Sequence, residues 1–248
     1  MKFGDIHNPT AAARTIKNFR DRFSARVCLA PFPDCEGGII AAHTLSRESM
    51  LRPISREGQV YSLTSTPFSP SDGRPYKIAL MGIGKTSTFN GFCRRHDKTI
   101  FSPIEDCAFV CSPEQTFLYA YRAIARECYL KRRQAEGTPT PDIFKEIHGI
   151  PDETTVQYSE DALVMKAASL RGAEETERLN AKLDEYLVNK DWRRLITTVI
   201  PFRKRPPIVC SFVYSPDFDF EGQYLQDFMN TDKDLEQLMI TVLPTDKG

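Results

Sequence analysis

Two separated pairs of metal-type donors constrain this chain more than any other feature. "VCLAPFPDCEGG" carries Cys28 and Cys35 with six residues between them, and "FCRRHD" carries Cys93 and His96 with two between them. A zinc ion needs four such donors converging tetrahedrally at about 2.0–2.3 Å. If both pairs serve one ion, the stretch from 36 to 92 must close into a loop whose ends meet. Cys-x2-His lets two ligands from the first turn of a helix reach the same metal. The first pair is spaced more widely than the usual knuckle of two to four residues, but Pro31 and Pro33 stiffen it, and Gly37 and Gly38 release the turn that follows. The alternative is that Cys28 and Cys35 are buried thiols and His96 a helix-surface imidazole. Loop cysteines flanked by proline and glycine have little apolar core to fill, which favours the metal.

The other cysteines are expected to pack in the core: Cys107 and Cys111, four apart with no nearby histidine, and Cys128 and Cys210 on apolar faces of a helix and a strand. Seven cysteines at irregular separations, without a charged-then-apolar leader, point to a reducing, cytoplasmic setting. No Cys-x-x-Cys occurs, which argues against redox chemistry. Apolar runs such as "IVCSFVY" fall far short of the roughly 20 residues needed to cross a bilayer, so no membrane is expected.

Basic and acidic residues balance at 33 each, yet they are unevenly placed. From His43 to Lys98 nine basic residues face four acidic ones, a net of +5; from Pro216 onward eight acidic residues face two lysines, a net of −6. A phosphate-bearing partner would favour the first region. Solvated faces that merely differ in charge would give the same counts.

Residues 8 to 25 read as an amphipathic helix, with Asn8 as N-cap, Pro9 at the first helical position and a stripe of Ala12, Ile16, Phe19 and Phe23. "AAHTLSRESML" is expected to hold one short helix, and "GQVYSLTS" and "RPYKIALMGI" have strand composition, joined by the turn-rich "TPFSPSDGR". From Ser112, a capping serine with Pro113 at the first position and Gln115 completing a capping box announces a helix over 112 to 134. A Pro/Thr-rich break at 137 to 141 precedes a second helical run near 159 to 189. "WRRLITTVIPF", "PPIVCSFVY" and "LMITVLP" are three strand candidates. The chain stops shortly after the last of them, the pattern expected of a truncated form. "GIGKT" lacks the first glycine of a phosphate loop, because Ala79 stands there, and "FRKRPP" reads as a basic turn between strands. Trp192 is expected in the core.

The order of a Cys pair, "AAHTLSR" with His43, a hairpin, and "FNGFCRRHD" entering a helix resembles the HNH endonuclease superfamily with a zinc-binding treble clef, over about residues 25 to 106. "AHT" followed by "FC-x-x-HD" and "PIE" is also similar to a group of bacterial HNH-like proteins. The resemblance implies a structural zinc on Cys28, Cys35, Cys93 and His96. It implies His43 as the general base, Asn90 as the loop asparagine that orients it, and Asp97 as a carboxylate for a catalytic magnesium or manganese ion. Ala42 stands where the family usually has a metal-binding Asp or His. Arg94, Arg95 and Lys98 would contact the phosphate backbone of DNA or RNA.

Each of these residues also has a plainer account. His43 could donate to a nearby carbonyl, Asp97 could sit in the first turn for its helix-dipole interaction, Asn90–Gly91 is a common turn pair, and arginines are most often solvated.

The expected architecture is α+β: an HNH-like treble clef (ββα) over 1–110, a helical segment over 111–190, and a β-rich C-terminal region over 191–248 that could receive a protein partner. The expected function is a metal-dependent endonuclease of HNH type, with bacterial defence as its expected setting; the alternative is a non-catalytic zinc module that recognises a protein or nucleic acid.

Overall fold

The computed structural model describes residues 26–65, 76–138, 152–227, 230 and 233–245. The amphipathic helix expected over 8–25 and the loop "TPFSPSDGR" lie outside them. The described fold is mixed α and β, with three small antiparallel sheets and three long helices.

The first sheet joins distant parts of the chain. β1 (Ile39–His43) pairs with β4 (Thr88–Cys93), setting Ile39 opposite Cys93 and His43 opposite Thr88, with an irregularity between Ile40 and Ala42. Between them, β2 (Gln59–Ser65) and β3 (Tyr76–Gly82) form a hairpin of their own, with Tyr61 opposite Leu80 and Leu63 opposite Ile78. The period-2 pattern sends Val60 into the core and leaves those four side chains exposed. The short helix expected after β1 is a single wide turn over Arg47–Leu51 that buries Met50 and Leu51.

α1 (Arg94–Glu105) begins directly at the end of β4, with the Cys93 Sγ as its N-cap acceptor. α2 (Pro113–Gly137) starts where the sequence announced it, Ser112 Oγ accepting from Gln115 N–H. Gln115 does not complete a capping box. Its side chain instead donates to the carbonyls of Pro103 and Ala108 and accepts from Val110 N–H, pinning the turn between α1 and α2. α3 (Asp152–Val188) runs against α2, tied across by Tyr121 to Asp184 and by Arg132 to Glu177.

A train of aromatic rings forms the centre. Phe92 meets Phe101 edge-on at 5.1 Å, Phe101 lies 6.1 Å from Tyr121, Tyr121 stacks on Phe117, and Phe117 contacts Trp192 at 5.1 Å. Edge-to-face and offset contacts of this kind add to the area these rings bury. The strand β4 and helices α1, α2 and α3 therefore share one apolar core, against which Trp192, Val213 and Leu243 also pack.

Of the three late strand candidates, two form: β5 (Cys210–Tyr214) pairs with β6 (Leu238–Val242). "WRRLITTVIPF" does not. After a short 3-10 turn at Trp192–Arg194, residues 195 to 202 carry no strand partner and 196 to 202 are exposed. β-branched composition marks a segment fit for a sheet but does not supply a neighbouring strand. Cys107 and Cys111 are exposed, a correction to their expected core packing, because they fall in the largely exposed connection between α1 and α2. Cys128 is buried as expected. Among the described residues no helix is long and apolar enough to cross a membrane.

Candidate metal centre

Cys28, Cys35, Cys93 and His96 converge: their donor atoms all lie within 4.8 Å of one another. Cys28 Sγ is 3.4 Å and Cys35 Sγ 3.8 Å from His96 Nδ1. Bonds of about 2.3 Å to sulfur and 2.0 Å to nitrogen, set tetrahedrally, would separate such donors by about 3.5–3.8 Å, so the spacing suits zinc.

Local backbone chemistry explains the convergence. Val27 N–H and Leu29 N–H donate to the carbonyls of Asn90 and Gly91, which lays the first pair alongside β4. Gly37 and Gly38 then turn the chain with φ of +75° and +67°, a region closed to most side chains. A Cβ on Gly37 would also stand 2.9 Å from Arg94 Cβ. Two orphan donors at the start of α1 find acceptors in this loop: Arg94 N–H on the Gly38 carbonyl and Arg95 N–H on the Glu36 carbonyl. The knuckle and the helix are thereby one unit.

The sulfurs are also acceptors. Cys93 N–H points at Cys28 Sγ (3.3 Å) and His96 N–H at Cys93 Sγ (3.4 Å). Burial pushes Cys93 up, but backbone N–H groups of His96 and Glu36 outweigh it and hold the thiol below its ordinary value. Its neighbour goes the other way: the hydrogen bond with Cys28, then burial, raise Cys35 to about 11. Three thiols this close cannot all ionise against one another, and a divalent ion among them removes that conflict. Burial lowers His96, keeping it neutral as a ligand must be. Three sulfurs and one imidazole nitrogen would fill a tetrahedral shell, the pattern of a structural rather than a catalytic zinc.

The expected catalytic residues sit on the same elements: His43 at the end of β1, Asn90 in β4 and Asp97 in the first turn of α1. His43, half-buried at the end of β1, donates from Nε2 to the Ile83 carbonyl at 3.1 Å, the tautomer that places the lone pair on Nδ1. Burial lowers its pKa, opposed by the Ile83 hydrogen bond and by the charge of Glu105. Asn90 is a strand residue of β4 and not a loop asparagine; it hydrogen-bonds Tyr129. Asp97 stands apart from the four zinc-type donors. It faces Arg122 of α2 at 3.7 Å, and burial raises its carboxyl to about 6. Of the cations expected on a phosphate backbone, Arg94 packs against Gly37, Arg95 lies 3.9 Å from Glu36 and Lys98 pairs with Asp106.

Sequence reading missed Arg122 and Glu105. Arg122 is 1% exposed, its guanidinium lies 4.0 Å above the Phe101 ring, and Nη1 pairs with Glu105 at 2.7 Å. Nε and Nη2 of Arg122 and Oδ1 of Asp97 are buried without a hydrogen-bond partner. The only signal in the sequence was an arginine on the otherwise apolar face of a helix.

Compared with protein-family models, with curated proteins and with solved structures, the chain gives no match.

Proposed function

We propose that this chain is a zinc-stabilised nuclease of the HNH type, hydrolysing phosphodiester bonds of DNA or RNA. The supporting observation is the state of His43. A neutral imidazole whose Nε2–H is held by the Ile83 carbonyl presents Nδ1 as a base. In that reading Nδ1 takes a proton from water as its oxygen bonds to phosphorus, and the bond from phosphorus to the departing oxygen breaks. Cys28, Cys35, Cys93 and His96 would hold a zinc ion that fixes β4 and α1 in place. Asp97 Oδ1, buried and without a hydrogen-bond partner, is the donor that suits a hard ion such as magnesium or manganese. Such an ion would neutralise charge on the phosphate when bound.

A second reading rests on Asp97 and Ala42. The Asp97 carboxylate faces a buried guanidinium, and Ala42 supplies no ligand, which favours a non-catalytic zinc module that recognises a protein or nucleic acid. The two part on one experiment. His43→Ala should abolish magnesium- or manganese-dependent cleavage of plasmid and RNA substrates while zinc content and melting temperature stay near wild type. Wild-type protein with full zinc and no cleavage of either substrate would sink the nuclease reading and leave the module.

A further inference from the structure

Residues 196 to 205 form an arm outside every described helix and strand, entered through the short turn at Trp192–Arg194 and through Leu195, which packs against the core. Beyond the turn at Trp192–Arg194, each residue from Ile196 to Arg205 is exposed, Ile196 completely and Ile200 and Phe202 by 75% and 51%. The arm is anchored at both ends, by Trp192 against Phe117 and by Pro206, which is buried. Its charge has one sign: from Trp192 to Pro216 there are five basic residues and no acidic one. The basic residues fall into two groups, Arg193 and Arg194 at one end and Arg203, Lys204 and Arg205 at the other. Arg194 is paired with Asp191, while Arg203 and Lys204 are exposed in the part of the arm farthest from that acid in sequence.

We propose that this arm is a nucleic-acid contact, binding the phosphate backbone through its cations and packing Phe202 and the aliphatic residues against sugars and unstacked bases. Two cationic groups joined by an apolar stretch match a linear polyanion with apolar faces between its charges. The cations beside the candidate metal centre are partly neutralised, Arg95 lying near Glu36 and Lys98 pairing with Asp106, whereas Arg203 and Lys204 stand exposed on the arm. The inference deepens the nuclease reading in naming where its substrate is held, and it stands or falls by binding, not turnover.

The test is fluorescence anisotropy with labelled single-stranded and duplex oligonucleotides across a salt series, on wild type and on Arg203→Glu/Lys204→Glu. Both side chains are exposed, so zinc content and circular dichroism should match wild type. The expected result is salt-dependent binding that weakens about tenfold or more in the variant. Its slope of log affinity against log salt should fall by about 1.4, two contacts at about 0.7 each. Equal affinity and slope in the two proteins would overturn the proposal, as would wild type that binds no oligonucleotide. Wild type that binds only vesicles rich in phosphatidylserine would overturn it in favour of a lipid surface. Arm-dependent binding without cleavage would support the arm while removing the nuclease; cleavage with unchanged binding in the variant would do the reverse.

Discussion

Arg122 bridges two carboxylates of the same helix: its Nη1 lies 2.7 Å from Glu105 Oε1 and its Nη2 3.7 Å from Asp97 Oδ1, while Phe101 covers the face of the guanidinium. α2 thus grips α1 through a charge that is 1% exposed. Replacing it with methionine leaves both carboxylates facing an apolar wall. Arg122→Met should cost about 3 kcal/mol or more in urea unfolding, the scale for a buried pair that loses one partner. A loss below about 1 kcal/mol would mean that the pair is dispensable.

Zinc content is the first thing to measure on the metal centre. Elemental mass spectrometry should find about one zinc per chain in wild type and none in Cys93→Ser. The melting temperature should fall by roughly 10 °C or more in that variant, since each kcal/mol is worth about 2–4 °C at this length. Metal-free wild type with an unchanged melting temperature would rule out a structural ion.

Asp184 gives a pH signature away from the metal. Burial raises its carboxyl to about 6, although Tyr121 O–H and Asn180 N–H both donate to it. The folded pKa is above the unfolded value, so the folded state binds the extra proton and Asp184 opposes folding once ionised. Its contribution worsens as pH rises from about 4 to 6 and is constant above that. Asp184→Asn removes the effect, and Asn180, whose Oδ1 is buried without a partner, can turn its amide to suit. The stability of the variant relative to wild type should climb across that window. A difference that is flat with pH would refute it.

The turn after Cys35 separates two glycines. Gly37→Ala meets both a left-handed φ and Arg94 Cβ at 2.9 Å, whereas Gly38→Ala meets the φ alone, with nothing within 4 Å. Gly38→Ala should cost about 1 kcal/mol, and Gly37→Ala measurably more, with weakened zinc affinity. Equal losses would show that the contact with Arg94 relaxes freely.

The four zinc-type donors, the serine cap of α2 and the hairpin strands β2 and β3 were legible because each is a local pattern: residue type, spacing or period 2. The HNH resemblance places Asn90 in a loop, and the Asn-Gly pair favours a turn, but pairing of β1 with β4 holds it in a strand. Residues 195 to 202 have strand composition and no strand, since a ladder needs a partner that composition does not name. Gln115 matched a capping box, yet turns to two carbonyls and an N–H in the preceding turn.

By itself the sequence determined which atoms could bind a metal and where helices begin, because these depend on side-chain chemistry within a few residues. Tertiary structure alone decided that the two donor pairs meet, that Arg122 faces Asp97, and that residues 195 to 202 take no strand partner among the described residues. Those outcomes depend on contacts between residues far apart in the chain, where burial and charge pairing are set by what the fold brings alongside.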